Sequence, residues 1–302
     1  MAAERDLTAA LQAFFPGHRD LLVGIGDDAA IVRQGRGPVA MCCDPVVAGV
    51  HFDARTGWRR VGRKAVNRNL SDLAAMGAVP DWLLLSVVVP RDTAPARLRQ
   101  LFTGVRDAAS LAGARVVGGD VAASSGPLVV TVSAYGHLPG RALTRSGAKA
   151  GDTLHCSGTL GGSRTGHHLT FRPHLAEGHW LARQRAVHAA IDVSDGLVLD
   201  LATMLDASGG LGAELDAAAI PVRAAARRLA GGDRERALHR ALGDGEDHVL
   251  LWAQAPRGLA AGGPLSARAR RPIGRVLAEP GLWLRAGGRR RRLRPLGYEH
   301  AL

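Results

Sequence analysis

The spacing of apolar positions changes along this chain, and the changes mark out its elements. Leu7, Leu11 and Phe14 or Phe15 recur at helical spacing and predict a helix over 6–15, ended by Pro16-Gly17. Short apolar runs follow at 21–23, 29–32, 39–43 and 46–50, separated by Gly and Asp, which is how strands and their turns read. Val61, Ala65, Leu70 and Leu73 return to helical spacing and predict a helix over 59–76, with Gly77 placed to end it. A strand over 82–89 stops at Pro90. Leu98, Leu101, Phe102 and Val105 then give a helix over 94–111, and strands at 115–117 and 128–135 close this half of the chain at about 136–141.

The second half repeats the alternation. A strand at 153–156 runs into a glycine-rich turn at 158–163, and a helical stretch covers about 177–187. A buried strand at 189–193 precedes a helix over 197–208, with Leu197, Leu201 and Leu205 at i, i+4 and i+8. A strand at 213–215, a mostly helical Arg-rich stretch at 222–242 and a strand at 248–253 follow. Residues 281–285 and 289–296 read as a hairpin around Gly287-Gly288. Strands and helices mix throughout, so the expected fold class is α+β in two domains, 1–140 and 141–302. The length agrees: at roughly 150 residues per domain, 302 residues build two cores.

Composition removes several classes of function. No apolar run approaches the ~18 residues that span a bilayer, and residues 1–20 lack the basic start and apolar stretch of a signal peptide. The expectation is a cytoplasmic protein with no membrane partner. Cys42, Cys43 and Cys156 form no CxxC pair, which argues against both a disulfide framework and a zinc site. The 39 Lys+Arg outnumber the 27 Asp+Glu for a net charge of +12, which invites a nucleic-acid partner. Only Lys64 and Lys149 are lysines, however, and Arg in nearly every other cationic position is a chain-wide bias, whereas a binding patch is local. No nucleic-acid partner is expected.

The minority charges are more informative. Gly26-Asp27-Asp28, Cys43-Asp44-Pro45, Ser71-Asp72-Leu73, Gly118-Gly119-Asp120 and Asp192-Val193-Ser194-Asp195-Gly196 read as acidic islands in loop-like contexts at strand ends. Glycine lets the backbone approach a ligand closely. Converging carboxylates repel one another, and a hard divalent cation such as Mg²⁺ offsets that while sharing its oxygen ligands with phosphate. The usual nucleotide signatures are missing. Neither Lys64 nor Lys149 completes a GxxxxGK[ST] loop, and Gly24-Ile25-Gly26 lacks the third glycine of GxGxxG. ATP would have to be held through Mg²⁺, glycine backbone and Arg145, which precedes Ser146-Gly147.

At this point the residues resemble the thiamine-monophosphate kinase family. Residues 24–30 (Gly-Ile-Gly-Asp-Asp-Ala-Ala), 49–52 (Gly-Val-His-Phe) and 69–78 (Asn-Leu-Ser-Asp-Leu-Ala-Ala-Met-Gly-Ala) carry the first part of the likeness. Gly118-Gly119-Asp120, residues 143–148 (Leu-Thr-Arg-Ser-Gly-Ala), Gly151-Asp152, residues 192–197, Gly245-Glu246-Asp247 and residues 297–300 (Gly-Tyr-Glu-His) carry the rest. The match runs in order from residue 24 to residue 300.

The resemblance implies a fold like that of aminoimidazole ribonucleotide synthetase. In it an N-terminal ATP- and Mg-binding domain pairs its sheet with a second copy in a homodimer, and a C-terminal α+β domain follows. It implies transfer of the ATP γ-phosphoryl group to thiamine monophosphate with several Mg²⁺ ions, by in-line displacement. The nucleophile is a phosphate oxygen already ionised at pH 7, so no catalytic general base is expected, and Arg145 is a candidate charge stabiliser. By the family's pattern Asp27, Asp44, Asp72, Asp120, Asp192 and Asp195 are metal ligands. Phe102, Gly119, Arg145 and Ser194 fall at ATP-contacting positions; His51, Glu246 and Tyr298 fall near the thiamine phosphate. Tyr298 suits a flat cationic heterocycle.

This chain departs from the pattern at several points around the expected site. Cys42-Cys43-Asp44-Pro45 stands where the family shows hydroxyl residues about the Asp, and thiols are poor partners for Mg²⁺. Val121 follows Gly119-Asp120 in place of Thr, and His248-Val249 follows Glu246-Asp247 in place of Tyr-Glu. Two alternatives stay open. One is another ATP-using enzyme of the same superfamily. The other is a non-catalytic nucleotide- or thiamine-phosphate-binding paralogue.

Overall fold

The computed structural model describes residues 4–15, 17–27, 29–35, 37–294 and 296–298. Pro16, Asp28, Glu299 and His300 of the motifs above lie outside the described residues. The chain divides into two compact units, Met1–Leu73 with Val79–Pro139, and Ala74–Ala78 with Gly140–Leu302. Among the described residues no helix is long and apolar enough to cross a membrane.

The first unit opens with α1 (Glu4–Phe14) and a small antiparallel ribbon of β1 (Leu21–Val23) and β2 (Ile31–Val32). Its main sheet is built from β3 (Val39–Val47), β4 (Val79–Pro90), β5 (Arg115–Ser124) and β6 (Val129–His137), in the order β3-β6-β4-β5. The helix α3 (Pro95–Leu111) links β4 to β5, the one parallel pair. The run at 39–43 and the first two residues of that at 46–50 form one strand with Asp44-Pro45 inside it. Pro45 removes a ladder donor, and it is tolerated because β3 lies at the sheet edge. Alternate residues face one way: Val46, Val130, Val132, Ala134, Leu85 and Val87 are buried, whereas Met41 on the other face is 68% exposed.

The long helix α2 (Trp58–Ala75) carries residues 69–75 of the Asn69-Ala78 block. It meets α3 backbone to backbone. A Cβ on Gly62 would stand 2.2 Å from the Leu101 carbonyl oxygen, and one on Gly104 would stand 1.9 Å from that of Arg59. Glycine at both positions is what lets the helices approach so closely.

The second unit holds a seven-stranded sheet in the order β13-β12-β9-β11-β7-β10-β8. Its strands are β7 (Thr153–Cys156), β8 (Val187–Asp192), β9 (Gly212–Asp216), β10 (Leu250–Gln254), β11 (Gly274–Leu277), β12 (Gly281–Ala286) and β13 (Arg289–Leu293). Helices α4 (Leu175–Ala182), α5 (Leu197–Ala207), α6 (Ala224–Leu229) and α7 (Arg234–Gly243) accompany them. The main core joins Leu197, Leu201, Met204 and Leu205 of α5 to Leu154, Ile191 and Leu251 of the sheet.

Elements of the second unit also differ from the sequence expectation. The helix expected over 177–187 ends at Ala182, because Val187 already pairs with Gln254 as the start of β8. The Arg-rich stretch breaks at Gly231-Gly232, and Asp233 caps α7 by accepting the N–H groups of Glu235 and Arg236. The four-residue β11 carries no periodic signal and exists through its pairing with β9 and β7.

Candidate functional site

In the first unit a cavity of about 910 Å³ is lined by α1, the loop after β1, Leu84 and Leu85 of β4, Phe102 of α3 and residues 116–121 on β5. Four residues singled out by sequence meet on its wall: Asp27, Phe102, Gly119 and Asp120. Both carboxylate residues are exposed. Phe102 is 4% exposed and meets Phe15 edge-on at 6.3 Å between ring centroids, so it closes the core and walls the cavity at once.

Asp120 was expected in a loop and lies instead within β5. The β4–β5 register slips by one residue between Leu83 and Leu84, so that Leu84 pairs with Gly118, and such a bulge re-aims the residues beyond it. Gly119 follows at φ +149°, where a Cβ would come within 1.9 Å of the Leu85 carbonyl oxygen. Only glycine fits there, and it sets the course of the backbone into Asp120.

Asp44 was also read as a loop residue, and Asp72, counted among the acidic islands, falls within the helix expected over 59–76. Asp44 is within β3 and Asp72 is on α2. The fully buried Asn69 of α2 ties the two elements together. Its Oδ1 accepts the Asp44 N–H at 2.9 Å, and its Nδ2 donates to the Asp44 carbonyl at 3.3 Å and to that of Ala65 at 3.0 Å. Arg68 Nε lies 3.5 Å from Asp44 Oδ2. Cys42 donates its thiol to the Asn69 carbonyl at 3.2 Å. Burial, with the nearby charges of Asp72 and Asp44 adding to it, pushes the Cys42 thiol far up, so it remains protonated. A protonated thiol is no ligand for Mg²⁺.

His51 is buried in the turn after β3. Its Nδ1 accepts the Val47 N–H at 3.1 Å, which leaves the ring hydrogen on Nε2. Its carbonyl accepts Nζ of Lys64 at 2.8 Å, and Lys64 is wholly enclosed. Asp44, Asp72 and His51 are not among the residues lining the 910 Å³ cavity.

In the second unit the loop after β8, the loop before β10 and the C-terminal segment are laced together by backbone bonds. The Ser194 carbonyl accepts the Glu246 N–H at 2.6 Å, the Val193 carbonyl that of His248 at 2.7 Å, and the Asp195 carbonyl that of Tyr298 at 2.9 Å. Asp192, Ser194, Asp195, Glu246 and Tyr298 are thereby gathered. Asp200 organises the turn from α5: its Oδ2 accepts the N–H groups of Asp195 and Gly196 at 3.0 Å each. Burial, and then the charges of Asp192 and Asp195, push Asp200 up to about 8. His248 sits between two acids, with Nδ1 3.4 Å from Asp192 Oδ2 and Nε2 3.5 Å from Glu246 Oε2. Burial opposes its charge, but these carboxylates outweigh burial and push it up to about 9. Arg145 stays exposed on a separate loop, whose backbone is held by Ser208 Oγ on the Arg145 carbonyl and by the Ala190 N–H on the Thr144 carbonyl.

The glycine-rich turn is spoken for. The Gly161 N–H points to both oxygens of Asp247, and the Gly162 N–H to Asp244 Oδ2 at 2.8 Å. Arg223 closes the cluster on Asp247 and donates to the Gly161 and Thr159 carbonyls. Those N–H groups hold the protein's own acids, so this turn is not a phosphate cradle.

Sequence reasoning missed Asn69, Lys64, Asp200, Arg223 and the bridging geometry of His248. For Lys64 a signal existed, since it is one of only two lysines in an Arg-dominated chain.

The donor set suits a hard cation. Every acid expected to bind metal offers carboxylate oxygens, and burial, with the charges of Asp192 and Asp195 adding to it, raises Asp200 to about 8. Among the described residues no group of three or more His, Cys, Asp or Glu is placed to hold a metal ion. Mg²⁺ bound between phosphates takes only one or two carboxylates and fills its octahedron from the substrates and water.

Comparison with known proteins completes the picture. The family model described as AIR synthase related protein, N-terminal domain, matches residues 26–138. A thiamine-monophosphate kinase of Rhodopirellula baltica is 36% identical over 294 residues, covering 92% of this chain and 91% of its own. The crystal structure of thiamine-monophosphate kinase from Stenotrophomonas maltophilia K279a superimposes with a TM-score of 0.80 at 31% identity, over 93% of this chain and 96% of that one. AaThiL, complexed with AMPPCP and TMP, gives a TM-score of 0.77 at 25% identity over 99% of this chain and 97% of that one. The mixed α+β fold is that of the AIR synthase-related proteins, as the sequence resemblance implied. With a relative 36% identical along nearly its whole length, this chain is a kinase and belongs to the thiamine-monophosphate kinase family.

Proposed function

We propose that this chain transfers the γ-phosphoryl group of ATP to thiamine monophosphate, giving thiamine diphosphate and ADP by direct in-line displacement. An oxygen of the acceptor phosphate attacks the γ-phosphorus; the bond to the β-phosphate oxygen breaks, and ADP leaves with that electron pair. The attacking oxygen is already an anion, so the chain needs no general base, and its work is positioning and charge neutralisation.

The observation that carries this reading is the 36% identity over nearly the full length of a thiamine-monophosphate kinase. AaThiL's complex with AMPPCP and TMP supports the choice of both substrates. Asp27, Asp44, Asp72 and Asp120 of the first unit and Asp192 and Asp195 of the second would supply the oxygen ligands of several Mg²⁺ ions. When bound, Mg²⁺ would neutralise the phosphates that must approach one another. In the first unit, Phe102 and Gly119 would contact ATP from the wall of the 910 Å³ cavity. In the second unit, Ser194 and Arg145 are the residues proposed for ATP, Arg145 as a charge stabiliser. His51 would donate from Nε2 toward the acceptor, and Glu246 and Tyr298 would flank it. The first unit would serve as the ATP-, Mg- and dimer-forming domain, residues 1–140, and 141–302 as the C-terminal α+β domain. A homodimer through the N-terminal sheet is supported by the exposed sheet face around Met41 and Cys43, and sedimentation tests it directly.

The test is an ADP-release assay with ATP, Mg²⁺ and thiamine monophosphate, on wild type and Asp72→Ala. Wild type should form thiamine diphosphate and ADP in equal amounts, and Asp72→Ala should lose about 100-fold. Thiamine monophosphate binding without ADP release would select the non-catalytic reading. Full activity in Asp72→Ala would overturn its assignment as a metal ligand.

A further inference from the structure

His248 is enclosed, with 2% of its surface exposed, and lies within ion-pair distance of two carboxylates with different proposed tasks. Asp192 is placed on the metal side and Glu246 beside the acceptor. The ring nitrogens stand 3.4 Å from one and 3.5 Å from the other. Phe171 lies flat against the imidazole, with centroids 4.3 Å apart and planes within 13°, so the ring has little freedom to tilt. The neighbouring His167 is directed elsewhere, its Nε2 meeting the Asp247 carbonyl at 3.3 Å.

The backbone supports the same interpretation. Glu246 and His248 both adopt left-handed conformations, at φ +56° and +48°. Such conformations are strained for a residue that carries a side chain and persist only where the surroundings enforce them. The enforcement is visible in the short bonds from the Glu246 N–H to the Ser194 carbonyl and from the His248 N–H to the Val193 carbonyl. A rigid ring with a nitrogen on each side fixes the separation of two carboxylates in a way a flexible cation cannot.

We propose that His248 is a positioning residue: clamped on Phe171, its ring ties the carboxylate of Asp192 to that of Glu246 and sets their spacing. The inference rests on the reading of Asp192 and Glu246 given under the proposed function. It makes the metal side and the acceptor side of the reaction a single mechanical unit within the second unit of the chain.

The test is a double-mutant cycle on the full chain. Wild type, His248→Leu, His248→Asn, Glu246→Gln and the double variant His248→Leu/Glu246→Gln are compared by calorimetric binding of thiamine monophosphate without nucleotide. KM and kcat are measured alongside, with thermal unfolding as a control on folding. His248→Leu should weaken thiamine monophosphate binding about tenfold, and His248→Asn, which tolerates the left-handed backbone and keeps a donor, should lose less. The double variant should bind no worse than Glu246→Gln alone, because His248 acts through Glu246. Unchanged binding in His248→Leu, or losses that multiply in the double variant, would overturn the proposal. Should His248→Leu not fold, the cycle with His248→Asn is read by the same criteria. If wild type neither binds thiamine monophosphate nor releases ADP, the functional reading itself falls and takes this inference with it. Wild-type turnover with an additive cycle removes the inference alone.

Discussion

Asp247 and Arg223 form an enclosed ion pair at the base of the glycine-rich turn, with the Asp247 side chain wholly inaccessible and that of Arg223 12% exposed. Arg223 also donates to the Thr159 carbonyl at 2.5 Å and to that of Gly161 at 3.1 Å, so one guanidinium holds both the carboxylate and the turn. Removing one member of such a pair strands the other as a buried charge. Arg223→Met should therefore cost about 3 kcal/mol. Calorimetry should show this as a fall of about 6–12 °C in the transition of the second unit. A shift of a degree or two would mean that water reaches Asp247.

The α2–α3 crossing makes a second prediction. With 1.9 Å between a Cβ on Gly104 and the Arg59 carbonyl, Gly104→Ala must push the helices apart. The expected loss is about 3 kcal/mol, read from urea unfolding of the first unit. An exposed change on the same helix, Arg99→Ala, should stay within about 0.5 kcal/mol of wild type.

Acid should weaken the second unit in part through His155. Burial holds its imidazole down at about 4, beneath the stack on Trp252 at 5.4 Å, with Thr153 Oγ1 and the Ala269 carbonyl at its nitrogens. The unfolded chain titrates this group near 6.5. Between pH 6.5 and 4 the unfolded state therefore binds the extra proton, and native stability falls as pH falls. The full effect is about 3 kcal/mol. His167, also held down at about 4, first by burial and then by Arg223, acts in the same direction. Asp200, raised to about 8, acts oppositely, losing stability as pH rises from its ordinary value toward 8. Urea unfolding of wild type and His155→Gln at pH 7, 5.5 and 4.5 should show a flatter acid limb in the variant. Parallel curves would refute the assignment.

Asp120 and Phe102 share a cavity wall and should separate cleanly in mutagenesis. Asp120 is exposed, so Asp120→Asn should leave Tm almost unchanged while turnover drops about 100-fold. Phe102 is enclosed, so Phe102→Ala should cost about 3–4 kcal/mol as well as raise KM for ATP. Normal activity in Asp120→Asn would remove it from the metal set.

Much of the fold could be read directly from the chain. The periodic helices over α2, α3 and α5 were expected within a residue or two of their ends, and β7 at its exact bounds, because local spacing and flanking Gly or Pro decide them. Elements that depend on partners were not readable. β11 is four residues with no period, and β5 runs through Gly118-Gly119-Asp120 only because β4 pairs with it residue by residue. The acids were found by type and context, yet two were misplaced. Asp44 and Asp120 are strand residues, since a Gly or Pro neighbour marks a turn only where no strand partner overrides it, whereas Asp72 lies on the helix expected over 59–76.

By itself the sequence determined the alternating α+β elements, the family resemblance, the acidic residues and the exclusion of a Walker-type nucleotide loop. Each is a property of residue type and near spacing. Only the tertiary structure decided which groups meet. It set Asp27, Phe102, Gly119 and Asp120 around one cavity, spent the glycine-turn N–H groups on Asp244 and Asp247, and slid His248 between Asp192 and Glu246. Those meetings join residues as far as 93 positions apart along the chain. Burial and charge at such contacts arise from side chains that sequence spacing never brings near one another, so their pKa shifts, and the bridge at His248, exist only in the folded molecule.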